Sequence, residues 1–349
     1  MRLVFSRILK IVLFPLTALL TGIVYVRNWL YDTGLLKSSQ PEVFTINVGN
    51  LNLGGTGKTP HVEYLVKLLA DSFKTSILSR GYKRSTKGFL IADNTATAHS
   101  IGDEPMQYYQ KFSNKVNVVV CEDRVAGVAG IQAKFPDNQL VILDDAFQHR
   151  RIAPHFNILL SDYSRPFYQD YLVPVGKLRD IRQSAKRANV VIITKCPEYV
   201  SSQIIQEMIA NIKVYTTENT PVFFSKIRYN AICGYNHAEV FEKKSPCMVV
   251  TAIAKPEVFW QYLNAQSLTI EKTVDFPDHF AFTRNEVDNL LNQALGKQII
   301  TTEKDMVKLK PLLNEVEIRR FFYVPIEITL ENTEKFNQLV LENITTFIS

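Results

Sequence analysis

Lys58 and Thr59 follow the glycine-rich turn Leu51-Asn52-Leu53-Gly54-Gly55-Thr56-Gly57, which itself follows an apolar run at 43–48. Backbone N–H groups beside Gly54, Gly55 and Gly57 can close on an anion because no Cβ intervenes, and a helix opening at Lys58 points its positive dipole end at the same place. This is the spacing of a phosphate-binding loop. Lys58 would reach the β- and γ-phosphates of a nucleoside triphosphate, the Thr59 hydroxyl would ligate Mg²⁺, and Asn52, Leu53, Gly54, Gly55, Thr56 and Gly57 would line the nucleotide. The strict pattern has glycine where this chain has Asn52, a residue that tolerates the left-handed backbone expected there. Asp144-Asp145 closes the apolar run 140–143, which is how a buried strand delivers carboxylates to a nucleotide's Mg²⁺ at its C-terminal edge. The guanine-recognition tetrapeptide is missing: Thr194-Lys195 follows a strand-like run but lacks the flanking Asn and Asp. Leu53 stands where partition-type ATPases carry a signature lysine.

Such residues need a sheet to hold them. Short apolar runs at 43–48, 75–79, 116–120, 140–143, 157–160 and 190–194 alternate with helical patterns, which implies an α/β fold with a doubly wound, mostly parallel sheet. Beyond about residue 215 come PVFFSKIRY, CMVVTAIA, KQIITTEKD and FFYVPIEITL. The expectation is a P-loop domain at 40–215 and a smaller α/β domain at 216–349, with PVFFSKIRY as a strand-like linker. A single sheet through both halves is the alternative.

A hydrophobic content of 46% with 21% charged residues in 349 describes a globular chain with a sizeable core and excludes disorder. The net charge of +6 suits a membrane surface or a phosphorylated substrate. Nucleic acid is not expected, because the basic residues are dispersed without an interleaved aromatic stripe. Cys121, Cys196, Cys233 and Cys247 have neither zinc-ligand spacing nor a disulfide framework, and point to a reduced cytoplasm.

Residues 1–35 form a hydrophobic anchor helix. The uncharged run between Lys10 and Arg27 falls short of the roughly 20 residues that cross a bilayer, and Pro15 interrupts it. Lys10, Thr17, Thr21 and Asn28 share one side, a narrow polar stripe on an apolar body that fits a helix lying in the membrane interface. Arg2, Arg7, Lys10 and Arg27 would meet lipid phosphates, with Tyr25, Trp29 and Tyr31 at headgroup level. A single span or a buried core helix are the alternatives, and a signal peptide lacks its small-residue cleavage site.

The strings VGNLNLGGTGKTP, SRGYKR, GDEP, DDAFQHR, TKCP, FPDHFAF and TTEKD, in that order, resemble the tetraacyldisaccharide 4′-kinases of lipid A biosynthesis. Ala146 stands where that family commonly has glycine, and Asp180 where it usually has glutamate. The resemblance implies ATP and Mg²⁺ as cofactors and a lipid A disaccharide 1-phosphate as substrate. It also implies γ-phosphoryl transfer to the 4′-hydroxyl, giving lipid IV-A at the cytoplasmic face of a bacterial inner membrane. A sugar hydroxyl needs a base as the new bond forms. By resemblance Asp103 is that base and His279, supplied by the second domain, orients it; Thr59, Glu104, Asp144 and Asp145 are the metal candidates. Arg80, Tyr82, Arg124, Gln148, His149 and Arg179 are the substrate candidates, His149 being open to a supporting role instead. Lys83, Arg84 and Lys177 add basic charge near strand ends. His61 reads as structural, and His99, His155 and His237 have no partner pattern. The rival reading is a membrane-tethered nucleotide switch that binds a protein partner, which would have no need of Asp103 and His279.

Overall fold

The computed structural model describes residues 2–236 and 238–349, with side chains from Lys10 onward. The Arg2 and Arg7 side chains and His237 lie outside the described residues. A long helix α1 (Arg2–Asp32) precedes β1 (Phe44–Asn50), α2 (Lys58–Leu69), β2 (Thr75–Ser79), β3 (Leu90–Ile91), α3 (Ala98–Ile101), α4 (Asp103–Phe112) and β4 (Asn117–Val120). Next come α5 (Arg124–Lys134), β5 (Leu140–Asp144), β6 (Phe156–Asp162), β7 (Val190–Thr194), α6 (Ser202–Lys213) and β8 (Val222–Tyr229). The rest runs β9 (Cys233–Gly234), β10 (Cys247–Thr251), α7 (Pro256–Ala265), β11 (Ile270–Asp275), α8 (Arg284–Ala294), β12 (Gln298–Thr302), α9 (Glu303–Leu309), β13 (Phe321–Val324), β14 (Ile326–Leu330) and α10 (Thr333–Ile348).

Two sheets result. The larger has the order β14-β8-β7-β6-β1-β5-β2-β4-β3, parallel from β8 to β4 with an antiparallel strand at each edge. Every residue of β1 is buried, because β5 pairs on one side of it and β6 on the other. The chain therefore reverses its progress across the sheet at β1, the switch point where α/β folds bind ligands at strand C-termini. Val62, Leu65, Val66 and Leu69 of α2 and Phe336, Val340 and Ile344 of α10 share one core with Ile46 and Val48. The smaller sheet, β11-β10-β12-β13-β9, is parallel except at β9, and its core continues into Ile101 and Met106 beside α4.

The sheets do not divide at residue 215. PVFFSKIRY is no linker: β8 is a strand of the large sheet, with Phe223 and Phe224 buried. FFYVPIEITL is two strands in two sheets, β13 in the small one and β14 in the large one, parted at Pro325, which has no N–H for a ladder. With α10 also packed on the large sheet, only the stretch between β8 and β14 makes the small one.

Helix α1 runs unbroken through Pro15, which removes one backbone donor without ending the helix. Thr17 and Asn28 of its polar stripe face inward, opposite to a helix whose stripe meets water, while Lys10 at the start of the stripe is exposed. The Thr17 hydroxyl accepts from Val175 N at 3.3 Å, and Asn28 Nδ2 donates to Asp180 Oδ1 at 2.8 Å and to Ser184 Oγ at 3.0 Å. Asp180 is fully buried, and its charge is met by these donors together with Ile181 N and Arg187. The apolar body faces out, with Ile11 73% and Leu19 62% exposed. Lys10–Asp32 is long and apolar enough to cross a membrane by length and composition.

Candidate active site

The phosphate-binding loop is shaped from both ends. Gly57 has φ of 86°, a left-handed angle that a side chain would resist, and it caps α2. Asn50 Nδ2 donates to Thr56 Oγ1 at 2.9 Å, and Thr194 Oγ1 donates to Thr56 O at 2.9 Å. Lys195 bonds Gly55 O and, at 3.0 Å, Asp162. Asn52 is not in the left-handed region expected of it. It is extended, bridged to Leu178, with Leu53 N donating to Lys177 O at 2.6 Å and Arg179 N to Leu51 O at 2.8 Å. Extended backbone suits any residue, so no glycine is required there.

Beyond β5 the two acids part company. Asp145, with φ of 54°, lies 3.7 Å from Lys58 Nζ and accepts both Arg179 N–H groups, one at 3.0 Å. Burial would raise its pKa, but Lys58 and then Arg179 outweigh that and hold it low. Asp144 is buried and accepts from Ser79 Oγ at 3.0 Å through Oδ2, while its Oδ1 is buried with no partner. Burial, then the charges of Glu104 and Asp145, push its pKa up to about 7. Glu104 Oε1 accepts from Thr59 Oγ1 at 3.4 Å, which sets the start of α4 against the start of α2. Among the described residues no three His, Cys, Asp or Glu side chains gather as a metal cage. Mg²⁺ in a nucleotide site asks for less, since waters and phosphates complete its octahedron. A repelled, orphaned carboxylate beside a hydroxyl and a second carboxylate is a donor set that fits it.

Asp103 opens α4. Its preceding residue, Gly102, has φ of 98°, and a Cβ there would meet Gly81 backbone at 3.2 Å, so the 81–84 turn and the α4 start pack closely. His279 reaches across from the small sheet with Nδ1 3.1 Å from Asp103 Oδ2. Burial works to raise the Asp103 pKa, but the His279 hydrogen bond, then Lys308 and Lys304, hold it below the ordinary carboxylate range. Tyr82 sets its ring edge-on to His279 at 5.5 Å. Lys58, Thr59, Glu104, Asp103 and His279 therefore gather about the starts of α2 and α4, with the buried Asp144 in reach of the charges of Glu104 and Lys58. The group is suited to hold a triphosphate on one side and a proton acceptor for an incoming hydroxyl on the other.

The chain matches the family model described as Tetraacyldisaccharide-1-P 4'-kinase over residues 9–345. The Tetraacyldisaccharide 4'-kinase of Cytophaga hutchinsonii is 41% identical over 94% of this chain and 93% of its own, and that of Flavobacterium johnsoniae 38% over 97% and 98%. The chain belongs to the tetraacyldisaccharide 4'-kinase family. LpxK from Aquifex aeolicus, solved in complex with ATP, superposes with a TM-score of 0.76 at 29% identity, covering 96% of this chain and 99% of that one. This kinase family membership decides against the nucleotide-switch alternative.

Within the kinase, the remaining substrate candidates divide. Arg80 and Tyr82 are exposed after β2. Arg179 grips Asp145 and Asn50, and Gln148 Nε2 donates to Asn50 O at 2.8 Å, so both pin the entry to the loop. Arg124 is 2% exposed, and its guanidinium donates to the carbonyls of Cys121, Glu122, Asp144 and Asp145. It braces the Asp144-Asp145 turn from beneath. His149 contacts Arg124 N and Asp123, and burial followed by the Arg124 charge lowers its pKa. Arg84 pairs with Glu122 at 2.6 Å, while Lys83 and Lys177 are exposed. His61 is buried between Gly57 O and Ser225 Oγ, and burial depresses its pKa to about 4. The sequence reading missed Asn50, Thr194 and Lys195, which shape the loop. Their signal was their place at the ends of β1 and β7, beside the loop at the sheet's C-terminal edge.

Proposed function

We propose that the chain transfers the γ-phosphate of ATP to the 4′-hydroxyl of a tetraacyldisaccharide 1-phosphate, forming lipid IV-A in lipid A biosynthesis. The observation that carries this reading is the Asp103–His279 pair at 3.1 Å beside a phosphate-binding loop, in a chain of this family. Asp103 accepts the hydroxyl proton as the 4′-oxygen bonds to the γ-phosphorus, and the bond from that phosphorus to the bridging oxygen of ADP breaks. A carboxylate held below its ordinary pKa is ionised at neutral pH but is also a weaker base, so its part in the transfer rests on its placement beside the hydroxyl. Loop N–H groups and Lys58 hold the phosphates in line, which is most of what phosphoryl transfer asks of a protein. Thr59, Asp144 and Glu104 would hold Mg²⁺, which when bound neutralises charge on the phosphate oxygens. Arg80 and Tyr82 face the acceptor, and Arg179 steadies Asp145 against Lys58.

Among the described residues the chain crosses between the two sheets twice, between β8 and β9 and between β13 and β14. His279 and Asp103 are already paired at 3.1 Å across these crossings, so motion of one sheet against the other would have to keep or remake that contact for the base to stay oriented. The outward apolar face of α1 would sit in the cytoplasmic leaflet of the inner membrane, where the acyl chains of the substrate lie. Labelled ATP and the disaccharide 1-phosphate in mixed micelles test the reaction. Label at the 4′-position of the lipid supports it, and ATP hydrolysis without labelled lipid overturns it.

A further inference from the structure

The segment Thr301-Thr302-Glu303-Lys304-Asp305 helps to carry the family resemblance, and so far only the charge of Lys304 has entered, as one of the cations near Asp103. It ends β12 and opens α9, and the Thr302 hydroxyl caps that helix by accepting from Asp305 N at 3.2 Å. In the first turn of α9, Lys304 Nζ lies 3.1 Å from His279 Nε2 and 3.2 Å from Asp278 Oδ1. A lysine ammonium carries three donors and no acceptor, whereas a neutral imidazole has one nitrogen of each kind. Nε2 is therefore the acceptor in this contact. An imidazolium would instead set two cations donor to donor. An imidazole that accepts at Nε2 carries its proton on Nδ1, and Nδ1 is the atom 3.1 Å from Asp103 Oδ2. In the other tautomer a bare Nδ1 lone pair would face the carboxylate, acceptor against acceptor.

We propose that Lys304 is a positioning residue that fixes the His279 tautomer, so that Nδ1–H is donated to Asp103 and the carboxylate is held as the acceptor of the substrate's proton. Neighbouring contacts hold Lys304 in place for this. Glu303, the residue before it, is buried with Oε1 2.9 Å from Lys111 Nζ, and Gln107 Nε2 donates to its Oε2 at 3.4 Å. Lys111 and Gln107 belong to α4, the helix that begins with Asp103, so the start of α9 is locked to the helix that carries the base. Asp278 balances the ammonium charge, and His279 itself has φ of 60°, which presents its ring between Asp103 and Lys304.

The inference rests on the reading of Asp103 and His279 as a working pair, and the test separates the two. ¹⁵N-histidine NMR of the whole protein, with the resonance assigned by its loss in His279→Gln, reads the tautomer without any change at Lys304. The expected result is an Nδ1–H, Nε2-bare imidazole; an Nε2–H or doubly protonated ring in the wild type overturns the proposal. In Lys304→Met the signature is expected to shift toward Nε2–H, kcat to fall by about 10- to 100-fold, as when an outer partner of a working histidine is lost, and KM for ATP to hold. Lys304→Arg keeps a donor and is expected to restore the signature and most of kcat. An unchanged tautomer and kcat within about twofold in Lys304→Met, with Asp103→Ala still inactive, overturns the role of Lys304 alone. An active Asp103→Ala overturns the underlying pair.

Discussion

At the scale of single residues, what matters is which atoms meet across the loop and which do not. Asp103→Ala and His279→Ala are each expected to lower kcat by about 10² to 10⁴ while ATP affinity is kept, because proton acceptance is lost and phosphate binding is not. The double variant is expected to be little worse than the poorer single one, since the 3.1 Å pair acts as a unit. Multiplicative losses in a steady-state comparison of the four proteins would show two independent roles. Lys58→Ala removes the charge that meets the phosphates and Asp145, and is expected to cost about 10²- to 10³-fold in kcat, the scale of one lost contact to transition-state charge. Arg124→Ala should behave differently. Its guanidinium holds only backbone carbonyls, so a lower melting temperature is expected, and ATP affinity should change only through the Asp144-Asp145 turn.

Between elements, a buried polar junction ties three helices together. Lys111 of α4 lies 2.6 Å from Glu63 of α2 and 2.9 Å from Glu303 of α9, and Gln107 bonds both acids. Burial is the first reason that the Glu63 pKa rises to about 7 from its ordinary 4.5; Lys111 opposes the rise and Glu303 adds to it. Between those two pH values the folded chain holds a proton that the unfolded chain has released. The contribution of Glu63 is thus fully present below 4.5 and is lost as pH rises to about 7. In urea titrations Glu63→Gln is therefore expected to gain on the wild type as pH goes from 5 to 7.5; an unchanged difference would mean that Glu63 titrates normally. The α1 dock makes a parallel case. Asn28→Ala leaves a buried Asp180 short of a donor and is expected to cost about 1–3 kcal/mol by chemical denaturation.

For the molecule as a whole, α1 turns Thr17 and Asn28 of its polar stripe to the protein and its apolar face outward, next to a sheet whose C-terminal edge holds the nucleotide loop. Leu19→Glu combined with Ile23→Glu alters only exposed positions, and is expected to reduce sedimentation with phospholipid vesicles while leaving the melting temperature nearly unchanged. Vesicle binding equal to wild type would place the membrane contact elsewhere. The two crossings between the sheets also bear on how Asp103 and His279 meet, since Asp103 opens a helix packed on the large sheet and His279 lies in the loop that follows β11 of the small one.

Local chemistry was legible in the sequence wherever neighbours in the chain are neighbours in space. The loop from Asn52 to Thr59, the strand ending in Asp144-Asp145 and the alternation of strands and helices depend on short-range spacing, steric freedom and hydrophobic period, and each is visible as text. The large sheet took strands at 75–79 and 190–194 with the limits the apolar runs suggest. Long-range partnership is not written in this way. That Asn52 lies extended against Leu178, that Arg124 is buried under carbonyls and that β8 and β14 return to the first sheet follow from packing between segments far apart in the chain. The polar stripe of α1 was visible as a stripe, but a periodic pattern marks two faces without saying which meets protein; the buried charge of Asp180 decided that. Lys304 shows the same limit at the active site. It stands 25 residues from His279 in sequence, and only the pairing of Glu303 with α4 brings its ammonium to the imidazole.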